Sequence, residues 1–414
     1  MKYSVKRSLC LVSGIMALAN VAPTSAEPFV TESGIEVAPG FKARFGQNDN
    51  LLRVSDSNDA TSTSFLVVDP GVSLKFQPRE NEFLLSYRLS HGRYFSSSED
   101  NFTDHFFDSR NLIKLGLRHA IKADLRVASL HEARGTGLTE GDNTSSAIDR
   151  PLEYLNRSIV TTYIYGAPGA KGRIEAKLGY SDLEYKNFRH LGGVSDSRSS
   201  RFKDYDNRSA GLKFAYRWLT NTKAIFEYEI AKKNYDFTAS GVPSQDSLTH
   251  NYYAGLEWDV SGKTSGYAKV GIQDKNFDDS DREDFTGLSW LVGLDWNPLY
   301  HSTWSIQTSQ VARDPDQDGD FVKETILNVG WKHYWRPQIY TRATAVVRNQ
   351  EYTGAFQNGV LRDERAVEWS ANMGYEFNEI VDFFVGVKKT NKTSNWEGYG
   401  YDQLVWSLSG AIAY

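Results

Sequence analysis

Along most of the chain, apolar residues take every second position. In "LTHNYYAGLEWDV" the row Tyr252, Ala254, Leu256, Trp258, Val260 alternates with Asn251, Tyr253, Gly255, Glu257, Asp259. The same division runs through "AGLKFAYRWL", "TGLSWLVGLDWN", "AVEWSANMGYEF" and the closing "LVWSLSGAIAY". A period of two assigns one set to each face of a strand. These segments exceed most strands of soluble domains and suit tilted spans of about 9 to 11 residues that project beyond a bilayer.

Two kinds of connection alternate between the segments. Brief turns occur at "LTNTK" (219), "SGK" (261), "NPLYHS" (297), "RPQ" (336) and "NEI" (378), and longer polar loops cover residues 134–150 and 187–204. Trp218, Trp258, Trp296, Trp335 and Phe377 stand near successive short turns. Their spacing, about 40 residues, is one hairpin up and back, and it would gather them in an aromatic girdle. A WD-repeat propeller has a similar period, but it must fit four short strands where this chain fits two long ones, and the Gly-His pair of that motif is missing. The pattern therefore predicts an all-β fold, a transmembrane up-and-down antiparallel β-barrel of about 18 strands with short periplasmic turns and longer extracellular loops. The last segment must then pair with the first to remove both sheet edges. Its alternate residues Trp406, Leu408, Ile412 and Tyr414 resemble the carboxy-terminal signal read by the barrel assembly machinery.

Composition adds a compartment. Lys2, Lys6 and Arg7 precede an apolar run from Leu9 to Ala22 and the small residues Thr24 and Ala26, the order of parts in a signal peptide. Residues 1–26 are expected to be the leader and 27–414 the barrel. The one cysteine, Cys10, falls in the leader. Removing the leader takes three of 47 basic residues and none of 52 acidic ones, leaving 44 minus 52, or −8. That balance argues against nucleic acid as a partner. Beyond the leader no apolar run approaches helix-spanning length, which excludes spanning helices, and the negative mean hydropathy is compatible with a barrel, in which only alternate residues meet lipid. The expected location is the bacterial outer membrane, with its lipid and lipopolysaccharide as surroundings.

The polar rows carry the candidate chemistry. Arg44, Arg88, Arg126, Lys213, Arg217, Lys332, Arg342 and Arg348 would face the lumen, opposed by Glu227, Glu229, Glu257 and Glu368. Such charges either brace the barrel or select solutes in a water-filled conduit. In "RDPDQDGDF", Asp314, Asp316, Asp318 and Gly319, followed by Asp320, match the opening of a calcium loop. The twelfth position is Thr325, with Glu324 one place early, so an acidic solvated hairpin tip is favoured over Ca2+, and no other cofactor is indicated. The glycines of "GTGLTEG" at 135 read as a flexible loop. No Gly-x-Ser-x-Gly elbow, His-Glu-x-x-His helix or phosphate loop occurs, and no catalytic residue is assigned. A hydrolase would need His91, His105 and His131 to approach one another near the external rim.

Particular words resemble a known family. "FGQNDNLLRV" (Phe45 to Val54), "VVDPGVSLKF" (Val67 to Phe76) and "NEFLLSYRLSHGRYFSSSEDNFTDHFFD" (Asn81 to Asp108) resemble the beta-barrel porin-2 family, including its exopolysaccharide-operon members. The likeness includes the Asp49-Asn50 step, Pro70-Gly71, a tyrosine-bearing third strand and Asp104-His105. It implies a channel for export or surface handling of an exopolysaccharide or capsular polysaccharide, with the secreted glycan and periplasmic export components as partners. The alternatives are a general or substrate-selective porin for small polar solutes and an outer-membrane hydrolase.

Overall fold

The computed structural model describes residues 29–56, 59–191, 198–260 and 262–413; the expected leader, Cys10 and Tyr414 lie outside them. A two-residue strand β1 (Phe29–Val30) leads into β2 (Ile35–Asn48), β3 (Thr63–Phe76), β4 (Glu82–Tyr94), β5 (Phe102–Lys114), β6 (His119–Glu132), β7 (Leu152–Tyr165), β8 (Gly172–Tyr185), β9 (Tyr205–Leu219) and β10 (Thr222–Tyr235). The wall continues through β11 (Ser247–Val260), β12 (Thr264–Phe277), β13 (Phe285–Leu299), β14 (Ser302–Arg313), β15 (Phe321–Arg336), β16 (Ile339–Gln357), β17 (Val360–Glu376), β18 (Val381–Ser394) and β19 (Tyr401–Ala413). From β2 onward each strand pairs antiparallel with its sequence neighbours. β19 then returns to β2, from Val405↔Asn48 to Ala413↔Gly40. These 18 strands form a closed barrel with no free edge. Below the point where β19 stops, β1 occupies the same side of β2, Phe29 opposite Val37.

The alternation sorts the two faces as expected. Tyr252, Leu256 and Val260 of β11 and Leu404, Trp406, Leu408 and Ile412 of β19 are exposed on the outside, where lipid replaces water. Trp218, Trp296, Trp335 and Phe377 are exposed at the short-turn end. Trp258 shares their level but lies over Gly266, where a Cβ would come 2.7 Å from its ring. Among the described residues no helix is long and apolar enough to cross a membrane.

The two ends differ in construction. One is closed by turns as short as residues 220–221, 300–301 and 337–338. The other carries residues 49–56, 133–151 and 198–204, with the only α-helix among the described residues, α1 (Asp142–Ala147), in the second of these. Short turns mark the periplasmic end of outer-membrane barrels. Buried apolar side chains gather where the outer strand ends meet the long loops: Leu138, Ile148, Leu152 and Tyr185 form one cluster, Val322, Tyr352, Ala355 and Trp396 another. The "GTGLTEG" glycines are therefore not flexible spacers. Gly135 has φ +75°, and a Cβ there would lie 2.0 Å from the Leu52 carbonyl oxygen, so this residue lets two loops touch.

Candidate functional site

The lumen has two unlike walls. On β8 to β12 inward bases and acids pair, three of the pairs reaching over one intervening strand and the fourth lying within β8. Lys177 Nζ lies 2.7 Å from Glu229, Lys269 Nζ 2.7 Å from Glu227, and Arg173 Nε 2.8 Å from Glu175; Lys213 pairs with Glu257. Every cation in this set has a carboxylate. These four pairs therefore carry no net charge, and pairs as accessible to water as these contribute on the order of 0–1 kcal/mol each; Arg217, on β9, stands outside them.

The remaining inward positions have other partners. Arg126 is 3.9 Å from Asp108, Lys332 3.7 Å from Glu376, Arg348 3.5 Å from Glu324 and Lys388 2.8 Å from Glu368. Arg217 donates to the Ala170 carbonyl at 3.2 Å. Arg88 is 3.5 Å from Asp69. Arg44 and Arg342 have no carboxylate within ion-pair reach among the described residues. Their neighbour Lys42, on the same face as Arg44, was not among the residues singled out from sequence, although its even spacing from Arg44 was a usable signal.

Above the lumen the long loops interlock. Glu140, in the segment after β6, pairs with Arg362 of β17 and Lys392 of β18. Arg362 and Lys392 also hold Glu364, at 2.6 and 2.8 Å, so two acids and two bases form one buried cluster. The Arg362 guanidinium lies 4.3 Å from the ring centroids of both Tyr352 and Tyr399. The same segment is held at three further points. The Asp142 amide donates to the Gly398 carbonyl at 3.0 Å, Arg134 Nε to Asp100 at 2.8 Å, and Gln317 Nε2 to the Glu140 carbonyl at 2.8 Å. Strands β6 and β7 stand far round the ring from β17 and β18, so residues 133–151 cross the external mouth instead of lying along its rim.

The acidic loop belongs to this interlock. Asp314 is buried with Lys233 and Lys275 each 2.7 Å away. Burial pushes its carboxyl up, and the two lysines outweigh this and hold it well below the usual range. Asp316 meets Arg313 at 3.3 Å and Asp320 meets Arg282 at 3.2 Å. Only Asp316 and Asp318 are exposed, so the segment is not a solvated tip throughout. The four carboxylates turn to four different protein cations or to water and do not converge. Among the described residues no group of three or more His, Cys, Asp or Glu is placed to hold a metal ion. Lys203, from the loop after β8, donates to the carbonyls of Pro315 at 3.2 Å and Gln317 at 3.3 Å. Burial, against the raising fields of Asp316 and Asp314, brings its amine down to about 8.

The three histidines do not meet. His91 bonds Thr103 at 2.9 Å and His105 bonds Tyr87 at 2.8 Å, both in exposed positions, and His131 bonds Asp104 at 2.9 Å while stacking on Phe102. Glu140, Arg362, Glu364, Lys392 and Lys203 escaped the sequence reading because their partners lie far away in sequence, 252 residues for Lys392 and Glu140.

No curated protein matches the sequence. Solved structures resemble the chain at a distance. The outer membrane protein OpdK from Pseudomonas aeruginosa is 11% identical with a TM-score of 0.49, covering 92% of this chain and 99% of its own. OpdQ from the same organism is 10% identical at 0.48, covering 92% and 98%. The siderophore receptor PirA from Acinetobacter baumannii is 8% identical at 0.47, covering 93% and 81%. The family described as "Putative beta-barrel porin 2" matches residues 36–412, nearly the whole barrel, and the chain belongs to that family of outer-membrane porin-type channels.

Proposed function

We propose that the barrel is a passive, size-restricted pore for small polar solutes rather than an exit port for a polysaccharide. The supporting observation is the segment 133–151, fastened across the external mouth by Glu140 to Arg362 and Lys392 and locked to residues 314–320 through Gln317. A polymer would have to thread through this interlock while many sugar units were still inside the lumen. A small solute needs only the gaps beside it. The charged lining replaces part of a polar solute's hydration, as a selective pore requires. The glycan role implied by the family resemblance draws no support from this geometry.

Liposome swelling with purified full-length barrel tests the reading. Permeation of monosaccharides and amino acids with a sharp fall at tri- and tetrasaccharides is expected. Equal permeation of long oligosaccharides, or loss of surface polysaccharide on deletion of the gene, would overturn it.

A further inference from the structure

Four lumenal cations on the wall opposite the neutral ladder rest on rings, and only one of them, Arg88, also meets a carboxylate. Lys42 Nζ lies 5.1 Å from the Phe384 centroid, the Arg44 guanidinium 5.8 Å from Phe65, that of Arg88 3.8 Å from Phe106 and that of Arg342 5.8 Å from Tyr340. A ring face steadies a cation through its quadrupole without cancelling the charge. Asp69, at 3.5 Å from Arg88, is the only carboxylate in ion-pair reach of the four, and Asp382, which accepts from the Tyr340 hydroxyl at 2.7 Å, is a second acid whose field meets Arg342, so four positive charges face two negative. The charges of Arg44, Arg88 and Arg342 all act on Lys42, which makes the four a single field.

A second observation is independent of that count. Arg44 and Ser409 face each other across the β2–β19 ladder, and Arg44 Nε and Ser409 Oγ are both buried without a hydrogen-bond partner. Buried donors in this condition are costly unless something accepts from them. Mechanical bracing does not explain the arrangement, because β8 to β12 show what bracing looks like in this barrel: one carboxylate for each of Arg173, Lys177, Lys213 and Lys269.

We propose that Lys42, Arg44, Arg88 and Arg342, with Ser409, form a binding site for small organic or inorganic anions bearing carboxylate or phosphate groups. The site favours dianions, because the field to be matched exceeds one charge. This deepens the reading of the barrel as a solute pore and rests on it for its role in passage. Oxygen anions suit the donor set, since guanidinium forks donate paired hydrogen bonds to planar or tetrahedral oxyanions.

Calorimetric titration of the folded full chain in low salt, with succinate and separately with inorganic phosphate, tests the site without requiring conduction. Binding of at least one is expected, and which one binds separates the carboxylate from the phosphate source. Lys42→Gln with Arg342→Gln should weaken it by about tenfold or more, whereas Lys213→Gln with Glu257→Gln should not. Arg44→Gln provides a second variant, and heat-modifiable migration shows that each barrel is folded. In planar bilayers the wild type should prefer chloride over potassium, and the Lys42/Arg342 variant should lose that preference. No binding of either anion, or unchanged binding in all three basic-wall substitutions, overturns the proposal. Binding that depends on the basic wall in a barrel that conducts nothing would sustain the site and sink the pore. Conduction without such binding would do the reverse.

Discussion

Replacing Glu140 by Gln keeps the shape of the side chain and removes one charge from the cluster that fastens the mouth segment. Arg362, 1% exposed, and Lys392, 5% exposed, would then share Glu364 alone. Removing one partner from a buried ion pair costs about 3–5 kcal/mol. Glu140 retains some contact with water, so the lower end applies, about 3 kcal/mol or a hundredfold and more in an equilibrium. The anchors at Asp142, Arg134 and Gln317 set the base level of segment opening, and the lost ion pairs set the ratio between variant and wild type. Trypsin cleavage within residues 133–151, at the Arg134–Gly135 bond, reads that opened population when reclosing is fast; the Arg150–Pro151 bond resists trypsin. A rise of about a hundredfold in cleavage rate is expected, with more frequent current fluctuations in bilayers and an intact heat-modifiable barrel. Adding Lys392→Met, which leaves one base with one acid, should recover most of the protection, the signature of coupling and not of two separate injuries. Cleavage within about threefold of wild type would refute the idea that the cluster holds the segment down.

Three further outcomes follow from the same geometry. Burial brings the Lys203 amine down to about 8 in the folded chain, against an ordinary 10.5; between these values the unfolded chain binds more protons, so stability should rise with pH from 8 towards 10.5, and Lys203→Met should flatten that rise in urea midpoints measured from pH 7 to 10. Calcium and chelator should give identical protease protection around residues 314–325, since Asp314 already has Lys233 and Lys275, whereas Asp314→Asn should reduce protection by leaving two buried lysines without their acid. Leu408→Arg, on the lipid side of the closing strand where Leu408 is 57% exposed, should lower the heat-modifiable fraction through a cost of about 2–4 kcal/mol near the bilayer midplane.

The wall of this protein was legible because its two solvents, lipid and lumenal water, write themselves into alternate residues. Tyr252, Leu256 and Trp258 declare one face of β11 and Asn251 and Glu257 the other, and the register that pairs Glu257 with Tyr267 needs no further information. The mouth was illegible for the opposite reason. Its residues obey no period, and their partners are set by where loop tips meet in space. Asp314 shows the difference: its spacing to Asp316 and Asp318 suggested a local cation loop, but its charge is answered by Lys233 and Lys275 on strands 81 and 39 residues earlier. The lumenal arginines occupied a middle ground. Their facing was readable from parity, but nothing local distinguished Arg348, held by Glu324, from Arg342, which rests on Tyr340.

The unlike walls of the lumen give the pore a sideways polarity. With the neutral ladder centred on β10 and the basic wall on the strands around the β19–β2 seam, the field points across the channel as well as along it. A molecule with a negative and a neutral end would travel turned, its charged end towards the seam and its other end towards β10. Passage would then present one end of the solute to each wall, and two isomers that place the charge at different ends of the same skeleton would meet different neighbours. A wide tube of evenly mixed charge would impose no such orientation.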